Sequence, residues 1–147
     1  MATTLLVAVD FEEPSRRAVQ VARGLAGPLG ADLCLVHTYL LPVYTYPGFE
    51  PALPVEFSAG ISGAAGRALE AFAAEVGVQR ALLRQGDPAP TILATAREVS
   101  AAMIVMGTHG RRGLAQLLLG SVAEKVVRTS EIPVLTVHAA GGQASAG

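Results

Sequence analysis

The run Leu5-Leu6-Val7-Ala8-Val9 is apolar without a break and is ended by Asp10. A strand with one wet face alternates; an unbroken run suggests a strand covered on both faces, as in a parallel sheet. Glu12, Glu13, Pro14 and Ser15 then open a helix, since acidic residues and proline suit a first turn with free N–H groups and a positive dipole end. Ala18, Val21, Ala22 and Leu25 give it an apolar face, and Gly27-Pro28 ends it. Asp32 to Val36 predicts a second buried strand. From Thr38 to Val55 periodicity is lost and Pro42, Pro47, Pro51 and Pro54 appear, so this stretch is expected to be a loop of the lid or rim kind.

The alternation then resumes. Phe57 to Val76 predicts a helix with Leu69, Phe72, Ala73 and Val76 on one face, weakened in its first half by Gly60, Gly63 and Gly66. Ala81 to Leu83 is a third strand, Gly86-Asp87-Pro88 a turn, and Ala89 to Val99 a helix presenting Ile92, Leu93 and Ala96. Met103 to Met106 is a fourth strand, Gly107 to Gly120 a glycine-punctuated loop, Val122 to Thr129 a helix and Val134 to Val137 a fifth strand. Strands and helices in strict alternation predict an α/β domain, an open parallel five-stranded sheet with helices on both faces. The tail Ala139 to Gly147 is Gly/Ala/Ser-rich and is expected to be flexible.

Composition narrows the function. At 147 residues the chain is one domain by the usual prior of about 150. A hydrophobic fraction of 51% with 16% charged residues excludes disorder for most of it. No apolar run reaches the ~18 residues of a membrane span, and Met1 to Val9 is too short and uncharged for a secretory signal, so a cytoplasmic protein without a membrane partner is expected. Eleven Lys+Arg against twelve Asp+Glu leave a net charge of −1, which offers no basic footprint for nucleic acid. Cys34 is expected to be a small buried hydrophobe. His37, His109 and His138 lie too far apart for a metal-ligand set, so no metal site is expected.

The candidate chemistry lies between the fourth strand and the last helix. Glycines at a strand–loop–helix junction let the backbone approach a ligand, and Gly120-Ser121 sits where helix N–H groups favour an anion. The stretch is neither a GxxxxGK[ST] loop nor a GxGxxG fingerprint. Ser121-Val122-Ala123-Glu124 also fits the S-x-x-E capping box, so the same residues could serve only to start a helix.

Gly107-x-x-Gly110, nine residues, then Gly120-Ser121 matches the G-2x-G-9x-G-[S/T] motif of the universal stress protein family. Val7-Ala8-Val9-Asp10, Gly86-Asp87-Pro88, Ile104-Val105-Met106-Gly107 and Pro133-Val134-Leu135 resemble that family as well, from about Thr4 to Val137. The resemblance implies a family domain over residues 1–138 with a tail at 139–147, and a Rossmann-like sheet of order 3-2-1-4-5. It further implies ATP, with or without Mg2+. Ala8, Val9, Asp10 and Thr38 would surround the adenosine, with Met106 and Gly107 bordering it. Gly110, Gly120, Ser121 and Val122 would cradle the phosphates, and His109 and Arg111 could reach them. Two departures stand out: Ala102 replaces a frequent aspartate, and Phe11-Glu12-Glu13 replaces a Gly-Ser-containing turn.

The resemblance also implies a homodimer through Val134 to Val137, a strand that Pro133 suits to an edge. Phosphoryl transfer needs metal-positioning carboxylates and a group that orients the nucleophile; none is evident, so no catalytic residue is assigned. The expected function is a homodimeric, ATP-binding regulator in stress response. A dimeric interaction module without nucleotide and a weak ATP-hydrolysing enzyme remain as alternatives.

Overall fold

The computed structural model describes residues 3–41, 48, 55–108 and 120–138, with side chains from 58 onward in the segment that begins at 55. Five strands and four helices alternate along them: β1 Thr3–Ala8, α1 Glu13–Leu29, β2 Ala31–Tyr39, α2 Val55–Val76, β3 Ala81–Gln85, α3 Pro88–Glu98, β4 Ala101–Gly107, α4 Ser121–Thr129 and β5 Val134–Val137. The strands form one parallel sheet in the order β3-β2-β1-β4-β5. β1 is central, with Val7 opposite both Leu35 of β2 and Val105 of β4.

The period-2 alternation of a strand sorts the core into two layers. Leu6, Ala8, Cys34, Val36, Ile104 and Met106 point to one face, where they meet Ala89, Ile92 and Ala96 of α3 and Ala123 and Val126 of α4. Val7, Val9, Leu35 and Val105 point to the other and meet Ala18, Val19 and Ala22 of α1 and Leu69, Phe72 and Ala73 of α2. Both faces are covered, which is why the strands carry unbroken apolar runs. Cys34 is fully buried as expected, and burial pushes its thiol up.

The element boundaries differ from the sequence reading in instructive ways. α1 does not stop at Gly27-Pro28; it runs to Leu29, and Gly30 (φ 62°) ends it by turning left-handed and donating its N–H to the Ala26 and Gly27 carbonyls. Its buried stripe is Ser15, Ala18, Val19 and Ala22, not the stripe through Val21 and Leu25, which are only half-buried. Both stripes obey the helical period; the inward one packs Ala18, Val19 and Ala22 on the sheet and carries Ser15, hydrogen-bonded to Asp10. α2 is continuous through its glycines, because Leu69, Phe72 and Ala73 anchor its second half and extending a docked helix is easy. β2 runs on to Tyr39, so Thr38 lies inside the strand, paired with Arg84 of β3, and not after it. Of the loop expected from Thr38 to Val55, Thr38 and Tyr39 belong to β2 and Val55 to α2, while residues 42–47 and 49–54, like the tail at 139–147, lie outside the described residues. Among the described residues no helix is long and apolar enough to cross a membrane.

Candidate functional site

In this strand order the chain leaves β1 toward β2 on one side, while β4 lies on the other side. A crevice therefore opens at the carboxyl ends of β1 and β4, the switch point at which open α/β sheets hold ligands. A crevice of about 190 Å³ is present there. Of the residues singled out from the sequence, Ala8, Val9, Asp10, Thr38, Met106, Gly107, Gly120 and Val122 line it. Ser121 is not among the lining residues; it is exposed at the first position of α4. His109, Gly110 and Arg111 lie outside the described residues.

Three helices begin at this crevice: α1 contributes Ser15, α3 contributes Pro88, and α4 contributes Gly120, Val122 and Ala123. Their N-cap residues, Glu12, Asp87 and Gly120, make no side-chain capping bond. The capping box anticipated at Ser121 to Glu124 is therefore not formed. Gly120, not Ser121, is the N-cap, and Glu124 Oε1 instead accepts from Arg128 Nε at 3.0 Å. α1 and α3 carry prolines in their first turns (Pro14, Pro88 and Pro90) and so have few N–H groups to offer, whereas the uncapped N–H groups of Ser121, Val122 and Ala123 give the start of α4 the partial positive charge that attracts an anion.

Gly107 is required for a reason that the sequence did not suggest. A Cβ there would lie 2.6 Å from the Pro14 carbonyl carbon and 2.7 Å from its oxygen. The missing side chain lets the first turn of α1 sit against the end of β4, so this glycine shapes the wall of the crevice through packing. Gly120, at φ −63° and ψ 160°, is in ordinary extended backbone.

On the β1 side the turn Asp10-Phe11-Glu12 is held from several directions. Asp10 Oδ1 accepts from the Glu12 N–H at 3.0 Å and from Ser15 Oγ at 2.6 Å, while the Asp10 N–H donates to Ser15 Oγ at 2.8 Å. Phe11 adopts a left-handed conformation, φ 69°, in the position where the family resemblance anticipates a glycine-containing turn. For a bulky residue this is strained. Its ring offsets the strain by packing on His37 (centroids 4.2 Å) and Phe72 (5.5 Å), and its carbonyl accepts from Arg16 Nη1 at 2.9 Å. His37 Nδ1 lies 2.8 Å from the Val9 carbonyl, which can only accept, so Nδ1 carries the proton.

Sequence reasoning missed Ser15, His37 and Thr108, which also line the crevice. Thr108 is 2% exposed; its N–H donates to the Val137 carbonyl at 2.9 Å, and its hydroxyl lies 2.9 Å from His138 Nδ1. Its place between Gly107 and Gly110 was a usable signal. Ser15 and His37 carried none beyond proximity to Asp10 and Thr38.

The family model for the universal stress protein family matches residues 1–138. The chain belongs to the universal stress protein family. A universal stress protein of Thermus aquaticus, from the QAH/OAS sulfhydrylase 3' region, is 41% identical over 140 residues, covering 94% of this chain and 100% of that one. Among solved structures, a universal stress protein in complex with cAMP shares 29% identity at a TM-score of 0.57, with coverage of 94% and 98%. UspA from Lactobacillus plantarum has the same fold, with a TM-score of 0.73 at 23% identity and coverage of 92% and 97%. The five-stranded 3-2-1-4-5 architecture of this chain is the fold of these proteins.

Proposed function

We propose that this universal stress protein binds an adenine nucleotide, ATP, at the β1/β4 crevice and works as a homodimeric, nucleotide-responsive regulator rather than a dedicated enzyme. One observation carries the reading: residues from four separate segments that the family resemblance assigns to a nucleotide (Ala8 to Asp10, Thr38, Met106-Gly107, and Gly120 with Val122) converge on one crevice where three helices begin. The complex of a relative with cAMP supports an adenine nucleotide as the ligand class.

The chain's groups divide the work. Ala8, Val9, Met106 and Thr38 offer an apolar wall with polar backbone edges for the nucleoside. The N–H groups of Ser121, Val122 and Ala123, free of any side-chain cap, would donate to phosphate oxygens, with Gly110 and the side chains of Ser121, His109 and Arg111 joining from the motif. A crevice of about 190 Å³ is below the ~300 Å³ of a site for a drug-sized ligand, so its described walls would hold the nucleoside and leave the phosphates to run past Gly107 and Gly120. Micromolar affinity needs about 8 kcal/mol. A helix dipole supplies only ~0.3–1 kcal/mol, so several charge-assisted N–H bonds of ~1.5–3 kcal/mol must add to nucleobase burial. Among the described residues no cluster of three acidic, His or Cys groups forms a cation cage; Mg2+ would arrive on the phosphates, which is its usual mode.

Glu124 is engaged by Arg128, and Asp10 is held in one orientation through Oδ1 by Ser15 and the Glu12 N–H, an arrangement suited to binding rather than to proton transfer. Dimerisation would use β5, which pairs with β4 on one side only and leaves Val134, Leu135 and Thr136 half-buried, with Val127 of α4 44% exposed. Mass spectrometry of small molecules released from freshly purified, denatured protein tests the reading. An adenine nucleotide is expected; an empty protein that also gives no heat with ATP or cAMP in calorimetry contradicts it and favours an interaction module.

A further inference from the structure

The structure assigns Ser15 a role that nothing in the motif gives it: we infer that Ser15 is the positioning residue for Asp10, aiming one carboxylate oxygen into the nucleotide crevice. The inference rests on the function proposed above and deepens it. Asp10 is exposed at the end of β1, and an exposed aspartate ordinarily samples several rotamers. Here it does not have that freedom. Ser15 is 3% exposed, and its hydroxyl is used twice, donating to Oδ1 at 2.6 Å and accepting from the Asp10 N–H at 2.8 Å. Ser15 therefore grips both the backbone and the side chain of the same residue. The Glu12 N–H, 3.0 Å from Oδ1, is a second restraint on that oxygen.

Both bonds to the carboxylate fall on Oδ1. Among the described residues Oδ2 accepts no hydrogen bond, and both Asp10 and Ser15 line the crevice. A carboxylate oxygen is an acceptor, so its ligand partner must be a donor: a sugar hydroxyl or an amine, never a phosphate oxygen. Oδ2 thus suits the donor-bearing nucleoside, whereas the uncapped N–H groups of α4 suit phosphate. With Oδ1 pinned by Ser15, Oδ2 is pre-aimed and the ligand need not order it, which is how a residue whose hydroxyl is already used on Asp10 can raise affinity. The same pinning makes the bound orientation of the nucleotide a property of α1's first turn.

The test is a double-mutant cycle on ATP affinity by calorimetry, with wild type, Ser15→Ala, Asp10→Ala and the double variant, and melting of each ligand-free protein as the check on folding. Ser15→Ala is expected to raise Kd about tenfold in the wild-type background and to change nothing further in the Asp10→Ala background. Ser15→Thr, which keeps the hydroxyl, is expected to restore most of the affinity, and it carries the comparison if the alanine variant melts too early to titrate. Equal affinity for wild type and Ser15→Ala overturns the inference while leaving the proposed function standing. So does the same loss in both backgrounds, which would mean a structural effect that does not pass through Asp10. Absence of ATP binding by the wild type overturns both.

Discussion

The two motif glycines at the crevice are expected to fail in opposite ways, and comparing them separates packing from ligand contact. At Gly107 a single added methyl would lie 2.6–2.7 Å from the Pro14 backbone. Ordinary carbon contacts sit at about 3.5–4.0 Å. The first turn of α1 must therefore retreat by roughly an ångström, dragging the Asp10 turn with it. Overpacking of this kind costs about 1–3 kcal/mol. At ~2–4 °C per kcal/mol for a domain of this size, Gly107→Ala should lower Tm by about 2–12 °C without any ligand present. Gly120, at φ −63° and ψ 160°, accepts a side chain without backbone strain. Replacing it by valine forgoes a favoured helix-capping residue, at a cost of about 1 kcal/mol at most. The branched side chain would, however, stand among the N–H groups assigned to phosphate. Gly120→Val should therefore keep most of the wild-type Tm and lose ATP binding. Thermal melting of the ligand-free proteins beside ATP calorimetry reads both quantities. A Gly107→Ala protein as stable as wild type refutes the packing argument, and a Gly120→Val protein that binds ATP normally refutes the phosphate assignment.

Two further outcomes follow from the turn beneath the crevice. At Phe11 the left-handed backbone penalises any residue with a Cβ by about 1–2 kcal/mol, against ~0.5–1 kcal/mol of extra chain entropy for glycine. Loss of the two ring contacts costs a further ~0.5–1.5 kcal/mol each, so denaturation should rank wild type above Phe11→Gly and Phe11→Gly above Phe11→Ala; an alanine variant at least as stable as the glycine one contradicts the strain argument. Arg16 Nε donates to Glu75 Oε2 at 2.5 Å, joining α1 to α2, and this hydrogen bond holds the Glu75 carboxyl below its ordinary range. A carboxyl lowered in the folded state stabilises above its unfolded value and loses that contribution as pH falls through the folded one. The Tm difference between wild type and Glu75→Gln should therefore be present at pH 7, begin to shrink as pH falls below the ordinary glutamate value of about 4.3, and be lost as pH passes the lower folded-state value; a difference that does not shrink in acid contradicts it.

Much of this fold was legible in the chain because covered strands need unbroken apolar runs, and β5 fell where Val134 to Val137 placed it. What pattern could not resolve was settled by tertiary contacts. Periodicity admits two stripes on α1, and packing against the sheet with the bond between Ser15 and Asp10 accompanies the one that is buried. Thr38 looked like loop because prolines follow it, yet pairing with Arg84 extends β2 across it. At the candidate site, the spaced glycines Gly107 and Gly120 pointed to strand and helix ends that line one crevice, but their individual reasons were hidden. Nothing local to Gly107 says that Pro14 will lie against it, and the S-x-x-E text at Ser121 promised a cap that the structure places one residue earlier without a side-chain bond. Ser15 and His37 were invisible because their roles exist only once α1 and β2 are brought to the end of β1.

The most direct test of nucleotide binding at the switch point is an amide NMR titration of the isotope-labelled protein with ATP. The account predicts saturable shifts concentrated at Val9, Asp10, Thr38, Thr108 and the first turn of α4, Ser121 to Ala123, with little change at the opposite end of the sheet around Ala31 and Ala101. Shifts centred on that opposite end, or a spectrum unchanged at millimolar ATP, would contradict it.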